Sequence, residues 1–338
     1  MSGRGKTIAL TIGDPNGIGP EIAVKAASEM RGNAGIRVIL VGDEHVICHY
    51  AGRHARGLRL EPVAGSLPAD RDCILLHPVD SLPAASFRPG HVQPDAGRAT
   101  VAYVDAAISL VRNGVADAII GCPHNETAVN AAGIAFSGYP GLIARLTGMP
   151  EDKVFMMLVG GGLRILHATL HERIYDALAR LTPDLIEEAG HACANTLRRL
   201  GVASPRIGIF GINPHAGENG LFGDDDEHIT KPAVARLRAA GISAEGPVGA
   251  DIILARKDID GFVAIYHDQG HIPVKLLAGR NASALSVGSG ILFSSVGHGS
   301  AFDIAGQDKA DPSAVLRTLR LIGNVAADAA QPVRDSAA

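Results

Sequence analysis

Short apolar runs rich in β-branched residues recur along this chain, and longer Ala/Leu/Arg segments of helical period lie between them. Residues 36–41, 118–121, 163–167, 206–210 and 261–266 read as strands, as does Thr7-Ile8-Ala9-Leu10. Residues 21–31, 98–113, 183–200 and 231–240 read as helices. Strands that are apolar along their whole length suit a sheet covered on both faces. Parallel neighbours need connections long enough to hold a helix. The alternation therefore predicts an α/β fold with a mostly parallel sheet. The helix after Leu181 has the clearest start: Thr182 as N-cap, Pro183 in the first turn and Asp184 as an early acid. At 338 residues and 46% hydrophobic, the chain suits two domains or one large α/β unit. No linker or repeat marks a boundary, which points to domains that share a sheet or exchange segments. The Ala/Asp/Pro-rich tail 326–338 is expected to fray.

Composition excludes several functional classes. A formal charge of −4 leaves no broad cationic surface for nucleic acid. Eight Phe, five Tyr and no Trp provide few platforms for stacking on bases. Cys48, Cys73, Cys122 and Cys193 form no CxxC pair, so they read as small buried thiols in a reducing compartment. No apolar run is long enough to span a bilayer, and no signal-peptide pattern precedes the first strand. The expectation is a soluble cytoplasmic enzyme with a small-molecule substrate and no membrane or nucleic-acid partner.

Three segments carry chemistry. The first, Thr11-Ile12-Gly13-Asp14-Pro15-Asn16-Gly17-Ile18-Gly19-Pro20-Glu21, is a glycine-rich turn from strand to helix. It suits either an anionic ligand at a helix N-terminus or simply a tight turn. The second is a set of three histidine-bearing strand ends: His167-Ala-Thr-Leu-His171, Asn213-Pro214-His215-Ala-Gly-Glu218 and Tyr266-His267-Asp268-Gln269-Gly270-His271. Each follows an apolar run, so each imidazole should emerge where a strand meets a loop, the edge at which α/β sheets bind ligands. Three neutral imidazoles suit Zn²⁺ or another divalent transition metal, with Asp or Glu nearby to orient them. The third is His298-Gly299-Ser300-Ala301-Phe302-Asp303, followed by Asp311. This small-residue loop can wrap an adenosine and offer Asp to its ribose, and a helix N-terminus explains it equally well.

Together these segments resemble the family of 4-hydroxythreonine-4-phosphate dehydrogenases, within the isocitrate/isopropylmalate dehydrogenase-like fold. The resemblance runs over nearly the whole chain. It implies two α/β domains with the active-site cleft between them. Residues 1–130 plus 285–338 would form a discontinuous domain with the cofactor loop, and 131–284 would carry the metal ligands and dimer interface. It also implies an NAD-using homodimer with one divalent metal per site (Zn, or Mg, Mn or Co), completed across the dimer. The family's ligands match His171, His215 and His267. Its substrate lysine matches Lys275, which with Asp268 is a catalytic candidate. The loop His298, Gly299, Ser300, Ala301, Asp303 and Asp311 resembles the adenosine loop of isopropylmalate dehydrogenases. No basic cluster in the sequence beside that loop calls for a 2′-phosphate, so NAD is the expected cofactor.

The departures from the family pattern concern the substrate. Where the family holds a phosphate with Gly-His-Thr-Glu-Phe, this chain has Gly138-Tyr139-Pro140-Gly141-Leu142, and the family's Asn and Arg fall on Ala284 and Phe293. A charged phosphate would lose directional partners there, whereas Tyr139, Pro140, Ala284 and Phe293 give apolar area. With Cys122-Pro123-His124-Asn125-Glu126 and Gly299-Ser300-Ala301, the chain looks like the branch that oxidises dihydrodiols of aromatic dicarboxylates. The expected reaction is NAD-dependent oxidation of a cis-dihydrodiol with loss of CO₂, leaving a catechol acid. The alternatives are a phosphorylated hydroxythreonine or sugar acid as substrate, a His₃ metallohydrolase, or a ligand-binding protein without catalysis.

Overall fold

A computed structural model describes residues 5–63, 67–70, 72–279 and 282–323; the tail 326–338 lies outside them. Twelve strands form one sheet. In chain order they are β1 (Lys6–Thr11), β2 (Ile36–Gly42), β3 (Arg59–Pro62), β4 (Cys73–Pro78), β5 (Ala118–Gly121), β6 (Phe155–Gly160), β7 (Leu163–His167), β8 (Arg206–Phe210), β9 (Ser243–Val248), β10 (Gly261–Ala264), β11 (Ser283–Val287) and β12 (Phe293–Ser295). Their spatial order is β3-β4-β2-β1-β5-β12-β11-β6-β7-β10-β8-β9. The expected mixed α/β architecture with a mostly parallel sheet is present. Antiparallel pairing is confined to the centre, where β11 pairs with β12 and β6, and β6 pairs with β7.

The apolar strands are buried as their composition requires. Ile8, Ala9 and Leu10 in β1, Ile39 and Leu40 in β2, and Ile119 and Ile120 in β5 are fully buried. Helices Gly19–Glu29, Pro94–Arg112, Pro183–Arg199 and Ser313–Gly323 lay their apolar stripes on the sheet. The helix Pro183–Arg199 starts as expected, with the Thr182 hydroxyl accepting from the Leu185 amide at 3.1 Å. Asp43 joins β2 to its surroundings. Its buried carboxylate accepts the Ser81 and Leu82 amides, both at 3.1 Å, and the Tyr103 hydroxyl at 2.5 Å. Cys73, Cys122 and Cys193 are buried as expected, but Cys48 is exposed, because its helix Glu44–His54 turns that face outward.

The glycine-rich turn after β1 is a structural junction. Every residue from Ile12 to Gly19 is buried. Gly13 has φ +70, and a Cβ there would lie 2.2 Å from the Pro123 carbonyl oxygen, so only glycine fits. The Asn16 side chain takes the Arg88 amide at 2.7 Å and donates to the Ser86 carbonyl at 3.1 Å, while the Ile18 amide donates to the Ser300 carbonyl at 2.9 Å. The Asn16 side chain and the Ile18 amide therefore bond within the protein.

Asp14, within this junction, accepts the Asn16 amide through Oδ1, while Oδ2 has no partner. Burial pushes its carboxyl up to about 7, against the Asn16 and Gly17 amides that pull it down. A carboxyl raised in the folded state favours the native form while protonated. That contribution is complete below about pH 4 and is lost as pH rises through about 7. We predict that Asp14→Asn, which keeps the Oδ1 acceptor and removes the charge, will gain stability relative to wild type over this interval, by up to about 4 kcal/mol. Urea unfolding of both proteins across the interval tests this; parallel stability–pH curves would contradict it.

Candidate active site

Strands β7, β10 and β8 lie side by side and run parallel, with Ala264 opposite His167 and Val263 opposite Ile209. Their C-terminal ends, which carry the three histidine segments, therefore share one edge of the sheet, as the strand-end reading expects. Side chains bonded to backbone hold these ends in register. The Thr169 hydroxyl donates to the Ile265 carbonyl at 2.8 Å. Gln269 accepts the Ile265 amide at 2.8 Å and donates to the Gly211 carbonyl at 3.0 Å, tying the turn after β10 to the turn after β8. Asp226, fully buried, accepts the Ile212 and Asn213 amides at 2.9 and 3.0 Å. Beyond this anchor, His215, Ala216, Glu218 and Asn219 all have positive φ. Four non-glycine residues in that region cost roughly 1–3 kcal/mol each and persist only where their surroundings hold them.

The imidazoles meet in a pattern the sequence did not specify. His171, His267 and His271 each place one ligating atom within 4.8 Å of the others. The His267 and His271 rings, one helical turn apart on His267–Ala278, stack at 3.7 Å and 12°. The His171 ring lies 5.4 Å from that of His267. Among the described residues His215 does not belong to this group. It sits on the exposed, strained loop, where its Nδ1 donates to Glu218 at 3.0 Å. So one chain brings two expected ligands together and adds His271, which sequence reasoning passed over although its i, i+4 spacing from His267 was legible. Asp268, expected to be catalytic, accepts from His267 Nδ1 at 2.6 Å and orients that ring. Burial, then the neighbouring imidazoles, lowers His167 to about 3. Burial and His267 lower His271 to about 4. His171 is lowered by burial and by His267. Near neutral pH these three are neutral imidazoles, the form that ligates a divalent transition metal.

The cluster opens onto cavities that share His171. One, of about 480 Å³, is lined by Met156, Leu158, His171, His271, Lys275 and Ala284, and reaches Gly297 at the foot of the expected cofactor loop. Another, of about 410 Å³, adds Pro140. Lys275, Ala284 and Pro140 thus line cavities that also hold His171. Tyr139 and Phe293 do not offer the apolar surface expected of them. They are 4% and 0% exposed, their rings pack 4.5 Å apart, and the Tyr139 hydroxyl donates to the Cys122 carbonyl at 3.1 Å. Gly121 leaves room for both, since a Cβ there would meet Phe293 and the Tyr139 hydroxyl within 3 Å.

The loop beginning at His298 is seated on the helix Gly19–Glu29. Glu21, buried, accepts the Ala310 amide at 2.9 Å and pairs with Lys25 at 2.6 Å. The loop has features that fit a dinucleotide: Ser300 is buried with its hydroxyl lacking a partner, and Gly299 and Asp303 are exposed. Asp311 is already engaged, accepting the Ser313 amide and hydroxyl at the start of the helix Ser313–Gly323. Folding also brings Arg53 and His54 to this loop, which carries Lys309 in its own sequence. Arg53 and His54 reach Asp308 at 3.1 and 3.0 Å, and that carboxylate occupies them.

The sequence profile described as "Pyridoxal phosphate biosynthetic protein PdxA" matches residues 35–322. A 1,2-dihydroxy-3,5-cyclohexadiene-1,4-dicarboxylate dehydrogenase of Comamonas sp. is 49% identical, covering 94% of this chain and 97% of that protein. A solved terephthalate 1,2-cis-dihydrodiol dehydrogenase from Burkholderia xenovorans is 53% identical with a TM-score of 0.80, over 95% of this chain and 98% of its own. A 4-hydroxythreonine-4-phosphate dehydrogenase from Klebsiella pneumoniae is 34% identical with a TM-score of 0.82, over 94% and 99%. These matches overturn the metallohydrolase and non-catalytic readings, for they carry the resemblance through sequence and fold together. The chain belongs to the PdxA family and is one of its dehydrogenases.

Proposed function

We propose that this enzyme oxidises a cis-dihydrodiol of an aromatic dicarboxylate, of the 1,2-dihydroxy-3,5-cyclohexadiene-1,4-dicarboxylate type, and releases CO₂ to leave a catechol acid. The observation that carries this reading is a cluster of imidazoles beside a cavity lined by His171, His271, Ala284, Leu158, Met156 and Lys275. The 49% identity to the Comamonas dehydrogenase supports the same choice. When bound, one divalent metal held by imidazoles of the set His171, His215 and His267 would polarise the substrate hydroxyl and the neighbouring oxygen. NAD, held by the loop from His298 to Asp311, would accept the hydride. Lys275 contacts a substrate carboxylate and returns a proton to the ring oxygen left as an aromatic enolate when CO₂ departs. Asp268 acts through His267, whose Nδ1 proton it holds. Rearomatisation makes the overall conversion strongly downhill.

In this reading the chain divides into 1–130 plus 285–338 and 131–284, and a second copy closes the site. Ile272, Leu276 and Leu277 are 55%, 79% and 63% exposed on the helix that carries His267 and His271, and Ile174, Tyr175 and Leu178 are exposed just after His171. So much apolar surface beside the histidines fits an isologous dimer interface.

Two outcomes test the reading. Loss of charge-assisted hydrogen bonds worth roughly 1.5–3 kcal/mol each should make kcat/KM for 4-phosphohydroxythreonine lower by at least about a hundredfold than for the dihydrodiol dicarboxylate, with NAD and a saturating divalent metal. A preference for the phosphorylated amino acid would reverse the substrate assignment. The double variant Ile272→Lys, Leu276→Lys should sediment as a monomer and lose most activity, while wild type sediments as a dimer. An unchanged sedimentation coefficient would move the interface elsewhere.

A further inference from the structure

Resting on the dihydrodiol reading above, we propose that His271 is a substrate-binding residue and not a metal ligand: its Nε2 accepts a hydrogen bond from the substrate hydroxyl that is not oxidised. The rings of His267 and His271 stack at 3.7 Å and 12°. An imidazole lone pair lies in the plane of its ring, so the lone pairs of two stacked, near-parallel rings do not converge on one ion. Only one of the two rings is available to a metal, and the other is left for a different task. His267 is the one prepared as a ligand. Asp268 accepts its Nδ1 proton at 2.6 Å, which leaves Nε2 bare.

His271 is fixed as an acceptor by the residue beneath it. His167 ends β7, is 1% exposed, and has its Nδ1 3.1 Å from the Met156 carbonyl. A carbonyl oxygen only accepts, so Nδ1 of His167 carries the proton and Nε2 accepts. His271 Nδ1 lies 3.0 Å from that Nε2 and must donate to it; the same N–H also faces the His267 carbonyl at 3.2 Å. Glycine at 270 keeps this contact open, since a Cβ there would come within 2.3 Å of His167 Nε2. Nε2 of His271 is therefore a lone pair, and among the described residues no group donates to it. The ring lines the cavity of about 480 Å³ with His171 and Lys275, so a donor can reach it from there. The substrate supplies one. A dihydrodiol carries hydroxyls on adjacent carbons: one becomes the carbonyl, and the other survives as a hydroxyl of the catechol ring. Stacking sets His271 one ring layer from His267, which suits the second of two adjacent oxygens. Lys275 stands one helical turn further along the same cavity wall, placed for a carboxylate.

The test uses full-length, metal-loaded protein and calorimetric titration with two acids. One is 3,4-dihydroxybenzoate, the catechol acid expected from the terephthalate-type diol. The other is 3-hydroxybenzoate, which lacks the hydroxyl assigned to His271. His271→Leu should lower the ratio of the two affinities by at least about fivefold. Its metal affinity, measured by chelator competition, should stay that of wild type. His271→Asn, whose amide can still donate to His167 but offers no acceptor at the Nε2 position, should behave in the same way and guards against a Leu variant that does not fold. A general disturbance of the site would weaken both acids alike and leave the ratio unchanged. An unchanged ratio in a variant that melts as a folded protein, or loss of metal from it, overturns this proposal. The dihydrodiol reading then still stands if wild type forms NADH from that substrate. If wild type neither binds 3,4-dihydroxybenzoate nor forms NADH from the dihydrodiol, both fall.

Discussion

The ladder between Ser283–Val287 and Phe293–Ser295 closes the middle of the sheet, and both halves of the molecule are fixed by it. β12 pairs in parallel with β5, which belongs to the first 121 residues, while β11 pairs antiparallel with β6, which opens the histidine-bearing half. Ala284 therefore stands between a sheet edge built by residues 6–121 and one built by residues 155–264. The same hairpin presents Ala284 to the cavity on one side and continues through Gly297 into the loop at His298 on the other. The positions of the imidazoles, the cavity wall and the loop at His298 relative to one another are thus consequences of one short antiparallel pairing.

Around that centre the site is held by side chains that satisfy backbone groups. Thr169, Gln269 and Asp226 each bond the main chain of a neighbouring strand end, so three histidine segments far apart in sequence form one surface. Their energetic return offsets the positive φ angles at His215 and its neighbours, which no isolated peptide would keep. Burial lowers the imidazole pKa values at the same place. The clustering of the imidazoles and the lowered pKa values of His167 and His271 then have a common cause: a helix lying on the end of β7.

The residues that stand where the resemblance puts the family's phosphate partners follow two physical routes. Ala284 and Pro140 remove polar donors from the cavity wall directly. Tyr139 and Phe293 remove them by turning inward, where their rings stabilise the core and the Tyr139 hydroxyl is satisfied by Cys122. Of these four residues, only Pro140 and Ala284 line the cavities.

Periodicity alone determined the α/β class, because apolar strands and amphipathic helices bury differently. It located the strands at 118–121, 163–167 and 206–210 and the helix beginning at Pro183, whose cap residues are local signals. The strands 59–62, 73–78, 155–160, 243–248, 283–287 and 293–295 were missed; the short or mixed ones, 59–62, 243–248 and 293–295, are specified by their partners rather than by their own pattern. Also missed was the helix His267–Ala278, where Gly270 and Pro273 argue against a helix until packing on β7 is known. The histidine motifs were visible as residues, and their strand-end context followed from the apolar runs before them. Which imidazoles meet was decided only by tertiary structure, because the choice of His271 depends on His167 lying beneath Gly270, more than a hundred residues away in sequence. The sequence carries the chemistry of the donors, and the three-dimensional register of β7 against one helix decides which of them lie together.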